Sequence, residues 1–413
     1  MNFGFPNYGS VPKLRFPKFT EDWIKYHLKE IAEKVNNKNN DNKIETVFSN
    51  SAVQGIVLQS DYFDKSIANK ENLGGYYIVE PFDFVYNPRL SATAEVGAMS
   101  VNNTNLTGLV SPLYTVFRVK ESNINIPFLE YLFKSKVWHN YMRSIANYGA
   151  RDDRMNVRSD DFYNLPLFIP SLSEQKTVST FLSLIEGRIQ TQKKIIEDLI
   201  ILKSNTAQNI FNQVFKFKDS EGIGFPNWQI KKLGDVCEIK RGASPRPISD
   251  SKWFDEDSKI GWVRISDVTK SEKYLEKTEQ YLSSAGISKS RLVKKGNMIM
   301  SICATIGKPI YTNFDVCIHD GFVVFENLTL DKEFLYYYLD FIQLNWYKYG
   351  QPGIQVNLNS EIVNNESVVV PVIEEQIKIA EFLSKFDEKI KLENELLTQY
   401  ENQKKYLLQN LFV

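Results

Sequence analysis

The chain has 413 residues, 43% hydrophobic and 24% charged, with 50 basic side chains against 50 acidic ones. That size suits two or three domains with real cores, and the balanced charge excludes binding to nucleic acid through net charge alone, leaving a local patch or a surface shared with another subunit. Cys237, Cys303 and Cys317 form no C-x-x-C pair, which argues against a disulfide framework or a thiolate zinc site and fits a reducing cytosol. The opening MNFGFPNYGS lacks the layout of a signal peptide. No apolar run approaches the roughly 20 residues of a membrane helix, so the expectation is a cytoplasmic protein without membrane attachment.

In chain order, RFPKFTEDWIKYHLKEI (15–31) opens a first α+β region. GYYIVEPFDFVYN (75–87) has the β-branched and aromatic content of strands. IPFLEYLFKSKVWHNYM (126–142) reads as helix, with apolar residues three and four apart. YGARDDRMNVRSDDF (148–162) is a polar, arginine-rich tract. A long helix is then predicted over 173–216, with an apolar stripe through Val178, Phe181, Leu182, Ile185, Ile189, Ile196, Leu199, Ile210 and Val214. Ser171-x-x-Glu174, after Pro170, is its capping-box candidate.

The second half repeats this plan. GFPNWQIKKLGDV (224–236) matches the opening segment in its Phe-Pro, Trp and Leu, GNMIMSICATIG (296–307) reads as strand, and KEFLYYYLDFIQLNWYKY (332–349) reads as helix. A second long helix over 374–413 carries Ile379, Phe382, Leu383, Phe386, Ile390, Leu397, Tyr400, Leu407, Leu408 and Leu411. One register joins the halves: Pro371, Gln376, Phe382, Leu383 and Ile390 stand 201 positions after Pro170, Gln175, Phe181, Leu182 and Ile189. The same shift pairs Tyr148 with Tyr349, Asn156 with Asn357 and Ser159 with Ser360. A period of about two hundred residues is far too long for a solenoid, so it is a duplicated domain plus helix. The middles, 36–147 and 241–348, share no register.

Helices of about forty residues at 1.5 Å each would be rods of roughly 60 Å, and a single apolar stripe needs a partner. The obvious partner of each is the other. Antiparallel pairing would place the two divergent regions at opposite ends of a spacer, like a caliper, and DNA, with its regular rise, is the natural ligand for a caliper.

Two variable domains, each followed by a long helix opening with Pro-x-x-x-Glu-Gln (PSLSEQ at Pro170, PVIEEQ at Pro371), resemble the specificity subunits of type I restriction-modification enzymes. The Phe-Pro…Trp…Leu entry, the tracts at 148–162 and 349–362, and KKGNMIMSICATIGKPIY (294–311) add to the resemblance, which covers essentially the whole chain. It implies an α+β fold of two pseudo-repeated mixed α/β target-recognition domains, 1–172 and 217–373, separated by two long helices, 173–216 and 374–413, packed as an antiparallel coiled coil. Phe181, Leu182, Ile185, Ile189 and Ile196 on the first helix and Phe382, Leu383, Phe386, Ile390 and Leu397 on the second would be the packing residues of this spacer. It further implies a non-catalytic reader of double-stranded DNA, one half-site per domain, with the gap set by the helices. Two modification (adenine methyltransferase) subunits and the restriction (translocase and nuclease) subunits would be its partners. S-adenosylmethionine, ATP and Mg would be used by those partners, with no cofactor or metal bound by this chain.

The residues agree with that division of labour. The nearest approach to Asn-Pro-Pro-aromatic is NPRL at Asn87; no Walker loop occurs; Glu-x-Lys appears at both Glu174 and Glu238. His27, His139 and His319 are scattered, and His319-Asp320 reads as loop rather than a dyad. Base reading calls for Arg, Lys, Asn and Gln on loops. In the first half, Arg151, Arg154, Asn156 and Arg158 are the leading candidates, with Asn87 and Arg89 as a second group. In the second half they are Lys240, Arg241, Ser244, Arg246 and Trp253, then Gln351, Gln355 and Asn357. Arg151 and Arg154 have an alternative reading as surface pairs with Asp152 and Asp153, and the equivalence of Asn156 and Asn357 favours a shared turn or phosphate contact. The competing readings of the whole chain are a coiled-coil scaffold without DNA binding and a single-chain restriction or methylating enzyme.

Overall fold

In both halves, the first and last strands of the globular part pair antiparallel. Ile24–His27 runs against Pro166–Ile169, with Ile24 opposite Ile169, and Gln229–Lys232 runs against Ser367–Val370, with Gln229 opposite Val370. The computed structural model describes residues 11–62, 70–147, 153–349 and 358–413. The chain divides into two compact units: unit 1 is 1–193 with 395–413, and unit 2 is 194–394.

Unit 1 is built on a four-stranded antiparallel sheet in the order Ala32–Lys34, Thr115–Val119, Phe84–Asn87, Ala98–Val101. Phe84 and Phe117 stack 5.1 Å apart on it, and the helix Ile126–Lys134 buries Phe128, Leu132 and Phe133 in the same core. Unit 2 repeats this strand order with Glu238–Arg241, Phe322–Glu326, Met298–Ser301 and Pro309–Thr312, again antiparallel, and Tyr274–Leu275 adds in parallel at the edge. A sheet ladder is made of backbone groups, so it survives where sequence register is lost. What differs is the insertion. Unit 1 carries two small strand pairs, Phe48–Ser51 with Gly55–Leu58 and Tyr77–Val79 with Gly108–Val110. Unit 2 carries a second four-stranded sheet, Gln280–Tyr281, Gly261–Val263, Val316–Ile318 and Arg291–Val293.

Some elements are shorter than their sequence pattern. The run 75–87 is two strands in different sheets, because Phe82 turns the chain at φ +71° and the Asp83 carboxylate accepts the Glu80 N–H at 2.8 Å. The helix expected over 126–142 stops at Lys134 and resumes as His139–Ile145. There the Ser135 hydroxyl donates to Leu132 O, and the Trp138 indole donates to Phe133 O and Ser135 O, using carbonyls that a continuing helix would need. Over 332–349, the α-helix Lys332–Phe341 gives way to the tighter turn Gln343–Tyr349. Gly307, at φ +75°, lies against this turn, where a Cβ would come 2.1 Å from the Trp346 ring.

The long helices are Leu172–Phe211 and Ile373–Asn410. The first ends short of 216 because Gln213 takes φ +57° and the Val214 N–H returns to Asn209 O. The helices pack antiparallel in both units: Glu186 meets Lys404 and Arg188 meets Tyr400 in unit 1, and Lys203 meets Asp387 in unit 2. Leu182, Ile189, Ile196, Leu383 and Ile390 are buried, and Phe181, Ile185, Phe386 and Leu397 are half-buried. Phe382 sits at the exposed rim against Phe215, Phe217 and Phe386.

The Glu-Gln signature at each helix start is a clamp. Gln175 is 1% exposed; its amide donates to Pro170 O and Asn123 O, both at 2.9 Å, and its carbonyl accepts the Asn125 N–H at 2.7 Å. Gln376 donates to Pro371 O and accepts the Asp331 N–H, both at 2.8 Å. Asn125 and Asp331 are the N-caps of the helices at Ile126 and Lys332, receiving the Phe128 and Phe334 N–H groups. One glutamine therefore ties a long helix to the capped helix beside it. Only half of the expected capping box forms: the Glu174 N–H meets the Ser171 hydroxyl at 3.4 Å, while the Glu174 carboxylate turns to Arg15.

Candidate nucleic-acid interface

In unit 1, the strand Phe84–Asn87 delivers the chain into a polar loop. Asn87 spends its side chain on that turn, donating to Asn50 O at 3.1 Å and accepting the Arg89 N–H at 3.0 Å. The loop is then joined to the tract at 153–158: Arg89 and Arg154 bridge through their backbones, the Met155 N–H donates to Pro88 O and the Leu90 N–H to Asp153 O, both at 2.9 Å. The two groups of candidates that sequence treated separately thus form one surface. Arg89 is exposed with no ion-pair partner among the described residues. Arg154 lies 3.6 Å from the Asp153 carboxylate, and Arg158, 80% exposed, pairs with Asp161 at 3.0 Å. Asn156 is exposed, and its carbonyl accepts the Asn147 N–H. Between the loops opens a cavity of about 380 Å³ with Tyr86, Met155 and Phe162 among its walls and Arg154 and Asn156 at its polar side. Arg151 lies outside the described residues.

In unit 2, Asp320 organises the candidate loop. Its carboxylate accepts the Ser244 hydroxyl at 2.8 Å and Arg246 at 3.2 Å, and its carbonyl accepts Arg241 Nε at 2.7 Å. The Ser244 hydrogen bond, against the opposing effect of burial, holds the Asp320 carboxyl below the usual carboxylate range, aided by the Arg246 charge. Gly242 is needed where the loop leaves the sheet, because a Cβ there would come 2.0 Å from His319 O. Arg246 is 74% exposed and remains presentable. Lys240 is committed to Glu326 at 2.8 Å and Glu238 at 3.1 Å, and its ammonium is held above its ordinary pKa by the hydrogen bond to Glu326 first and that to Glu238 second. Trp253 is 9% exposed, donates its indole N–H to Pro247 O at 2.9 Å and carries Lys252 over its ring, so it packs the base of the loop. Gln351, Gln355 and Asn357 lie outside the described residues.

Topology adds a segment that residue types did not signal. The Leu358 N–H donates to Ile302 O at 2.9 Å, just after Met298–Ser301, as Met155 meets Pro88 after Phe84–Asn87 in unit 1. The loop 302–305, with Ala304 at φ +54° and the Thr305 hydroxyl 2.8 Å from that of Thr269, holds the place of 88–90.

His319 and Asp320 are not a catalytic pair. His319 Nδ1 accepts the Gly321 N–H at 2.9 Å, so it has no proton for Asp320, 3.8 Å away. Burial pushes the His319 pKa down. Among the described residues no group of three His, Cys, Asp or Glu side chains could hold a metal ion, and no helix is long and apolar enough to cross a membrane.

A family model described as the type I restriction modification DNA specificity domain matches residues 226–402. A protein of Methanocaldococcus jannaschii, named for a type I restriction enzyme MjaX specificity subunit, is 23% identical over 434 aligned residues, spanning 98% of this chain and 95% of its own. Of solved structures, one from work on complex assembly and conformational transition of the type I R-M system aligns at a TM-score of 0.62 with 16% identity, over 94% of this chain and 96% of its own. The S subunit of the type I restriction-modification system from M. genitalium aligns at 0.50 with 15% identity, over 98% and 99%. The two structural likenesses concern the fold.

Proposed function

We propose that the chain is one of the type I restriction-modification DNA specificity subunits, not an enzyme by itself, and that it reads a split DNA target, one half-site in each of two recognition domains, 1–172 and 217–373. The helices 173–216 and 374–413 act as the spacer. The observation that carries this reading is a frame repeated in both units, with the same sheet order and the same glutamine clamp, around loops that differ in sequence and in anchoring. Repetition suits equivalent docking and divergence suits unequal half-sites.

In this reading Arg89, Arg154 and Asn156 face one half-site and Arg246, with the 302–305 loop, faces the other. Arg158 and Lys240, tied to carboxylates, serve phosphates or the fold. Arginine matches guanine bidentately and asparagine matches adenine, so these side chains can discriminate once the loops bring them to base edges. Two modification subunits dock on the spacer and carry S-adenosylmethionine, restriction subunits bring ATP and Mg chemistry, and the assembly works in the cytosol on double-stranded DNA.

The test is to map methylated adenines genome-wide in a methylation-free bacterium expressing this chain with its cognate modification subunit, then to repeat it with segment 36–147 exchanged for that of another member of the family. The expected result is a split motif, absent with the modification subunit alone, in which the exchange alters one half and leaves the other. A soluble complex that marks no new motif would sink the proposal in favour of a scaffold without DNA binding.

A further inference from the structure

Each unit ties the helix beside its sheet to both long helices through one carboxylate. In unit 1, Tyr131 on Ile126–Lys134 donates to Glu186 Oε2 at 2.9 Å, Lys404 donates to Oε1 at 2.8 Å, and Lys134 stands 3.7 Å from Oε2. In unit 2, Tyr337 on Lys332–Phe341 donates to Asp387 Oδ2 at 2.5 Å, Lys203 donates to Oδ1 at 2.6 Å, and Lys273 approaches both Oδ2, at 3.4 Å, and the Tyr337 hydroxyl, at 2.9 Å. Asp387 stands 201 positions after Glu186, and Lys404 stands 201 after Lys203. The long helices therefore exchange roles: the first supplies the carboxylate in unit 1 and the lysine in unit 2, and the second does the reverse.

Burial alone would raise the Glu186 carboxyl, but the Lys404 hydrogen bond and the Lys134 and Lys404 charges, with Tyr131, hold it below its ordinary value. Tyr131 and Tyr337 are 5% and 2% exposed. A buried phenol needs only an acceptor, and Tyr338 is content with the Ser367 carbonyl at 3.1 Å. Tyr131 and Tyr337 instead reach carboxylates that a lysine of the opposite helix also holds, so three chain segments meet at one ionised group. Apolar contacts between helices are non-directional and tolerate small slides, whereas charge-assisted hydrogen bonds fix distance and angle.

We infer that Tyr131, Glu186 and Lys404, and again Tyr337, Asp387 and Lys203, are two copies of one positioning lock that fixes the orientation of each recognition domain on the adjoining helices, and through it the intolerance of the reader to a changed gap between half-sites. None of these residues touches DNA in this scheme; they are positioning residues. The inference rests on the proposed function for its DNA consequence and on geometry alone for its mechanical one, so two measurements judge it.

In the first, the complex of the full chain with its modification subunit is titrated with duplexes carrying the mapped target at its native gap and with one base pair added or removed. Tyr337→Phe lowers the preference for the native gap about fivefold, part of the roughly tenfold or more that one charge-assisted hydrogen bond can contribute, with a smaller loss of affinity for the native gap itself. Tyr131→Phe acts in the same direction. In the second, the free chain carries nitroxides at Lys289→Cys and Lys385→Cys, both within unit 2, in a Cys303→Ser background, and Tyr337→Phe broadens their distance distribution at unchanged helix content. A gap preference that stays constant while affinity falls equally on all duplexes overturns the inference, because that is the mark of a merely stabilising contact; an unbroadened distribution overturns it too. If the wild-type complex marks no split target, the proposed function fails and the nitroxide distances alone decide whether the lock exists.

Discussion

Unit 1 holds its helix-start glutamate, Glu174, with both nitrogens of the Arg15 fork at 2.8 Å, whereas unit 2 holds the equivalent Glu375 with the indole N–H of Trp228 at 2.9 Å. Trp23 is the counterpart of Trp228, and with Glu174 taken by Arg15 its indole N–H has no partner among the described residues. The comparison teaches what the repeated position requires. It needs a donor for a buried carboxyl, and a cation or a neutral N–H will serve. Sequence identity between the copies therefore marks the frame, while the chemistry that satisfies the frame has drifted.

The largest expected effect breaks that pair of solutions. Glu174 is 2% exposed, so Arg15→Ala leaves a buried charge unpaired and should cost about 3–5 kcal/mol in urea unfolding. Trp228→Phe and Trp23→Phe remove similar volume, but only the first removes a used donor. Trp228→Phe should therefore be the more costly of the two by about 1–3 kcal/mol; equal costs would show that Trp228 acts by packing alone.

A second test compares the clamps. Gln175→Ala strands two carbonyls and one N–H, and Gln376→Ala strands one of each. At about 1–3 kcal/mol for each buried group left unsatisfied, both should be severe and the first worse. The third test moves to the interface. Arg154→Ala should cost about 1–3 kcal/mol of target affinity and relax one half-site, if it reads a base. Arg246→Ala, 74% exposed, should shift stability by less than about 0.5 kcal/mol, and a phosphate role would show as a salt slope reduced by about one.

How much of this was legible depends on what carries each feature. The repeat, the long helices and the Glu-Gln helix starts are written in side chains that must be a certain type, and they can be read directly. The common sheet could not be, because its ladder uses backbone groups, and strands buried on both faces, such as Phe84–Asn87, Met298–Ser301 and Phe322–Glu326, need only be apolar, with no fixed side chains to keep a register. The break at Ser135 is hidden in the sequence because the apolar period continues through it, and it is the Ser135 hydroxyl and the Trp138 indole, donating to three carbonyls between them, that end the helix. At the interface, Arg154 and Asn156 could be proposed from type, but their union with Arg89 depends on a backbone bridge between distant segments. Trp253 stands among the candidate DNA contacts because residue type says nothing of exposure, and the structure buries it.

The smallest expected effect is the one that best separates the two glutamates. Burial pushes the Glu375 carboxyl above the ordinary carboxylate range, against the lowering effects of the Trp228 hydrogen bond and the Lys216 charge. In the unfolded chain this group loses its proton near the usual value of about 4.3, while the folded state keeps it to higher pH. Between those two points the folded state binds more protons, so stability falls as pH rises, and the loss is complete above the folded value. Glu375→Gln keeps the shape, offers Trp228 a carbonyl and has no proton to lose. Against the wild type it should be no more stable at pH 4 and more stable at pH 7.5, as read from urea midpoints. The same substitution one repeat earlier, Glu174→Gln, deprives Arg15 of its counter-charge and should destabilise at pH 7.5. Opposite signs for one substitution at two equivalent positions would establish that the copies keep the site and have changed its electrostatics; matching signs would mean that the Trp228 solution is as dependent on a charged carboxylate as the Arg15 one.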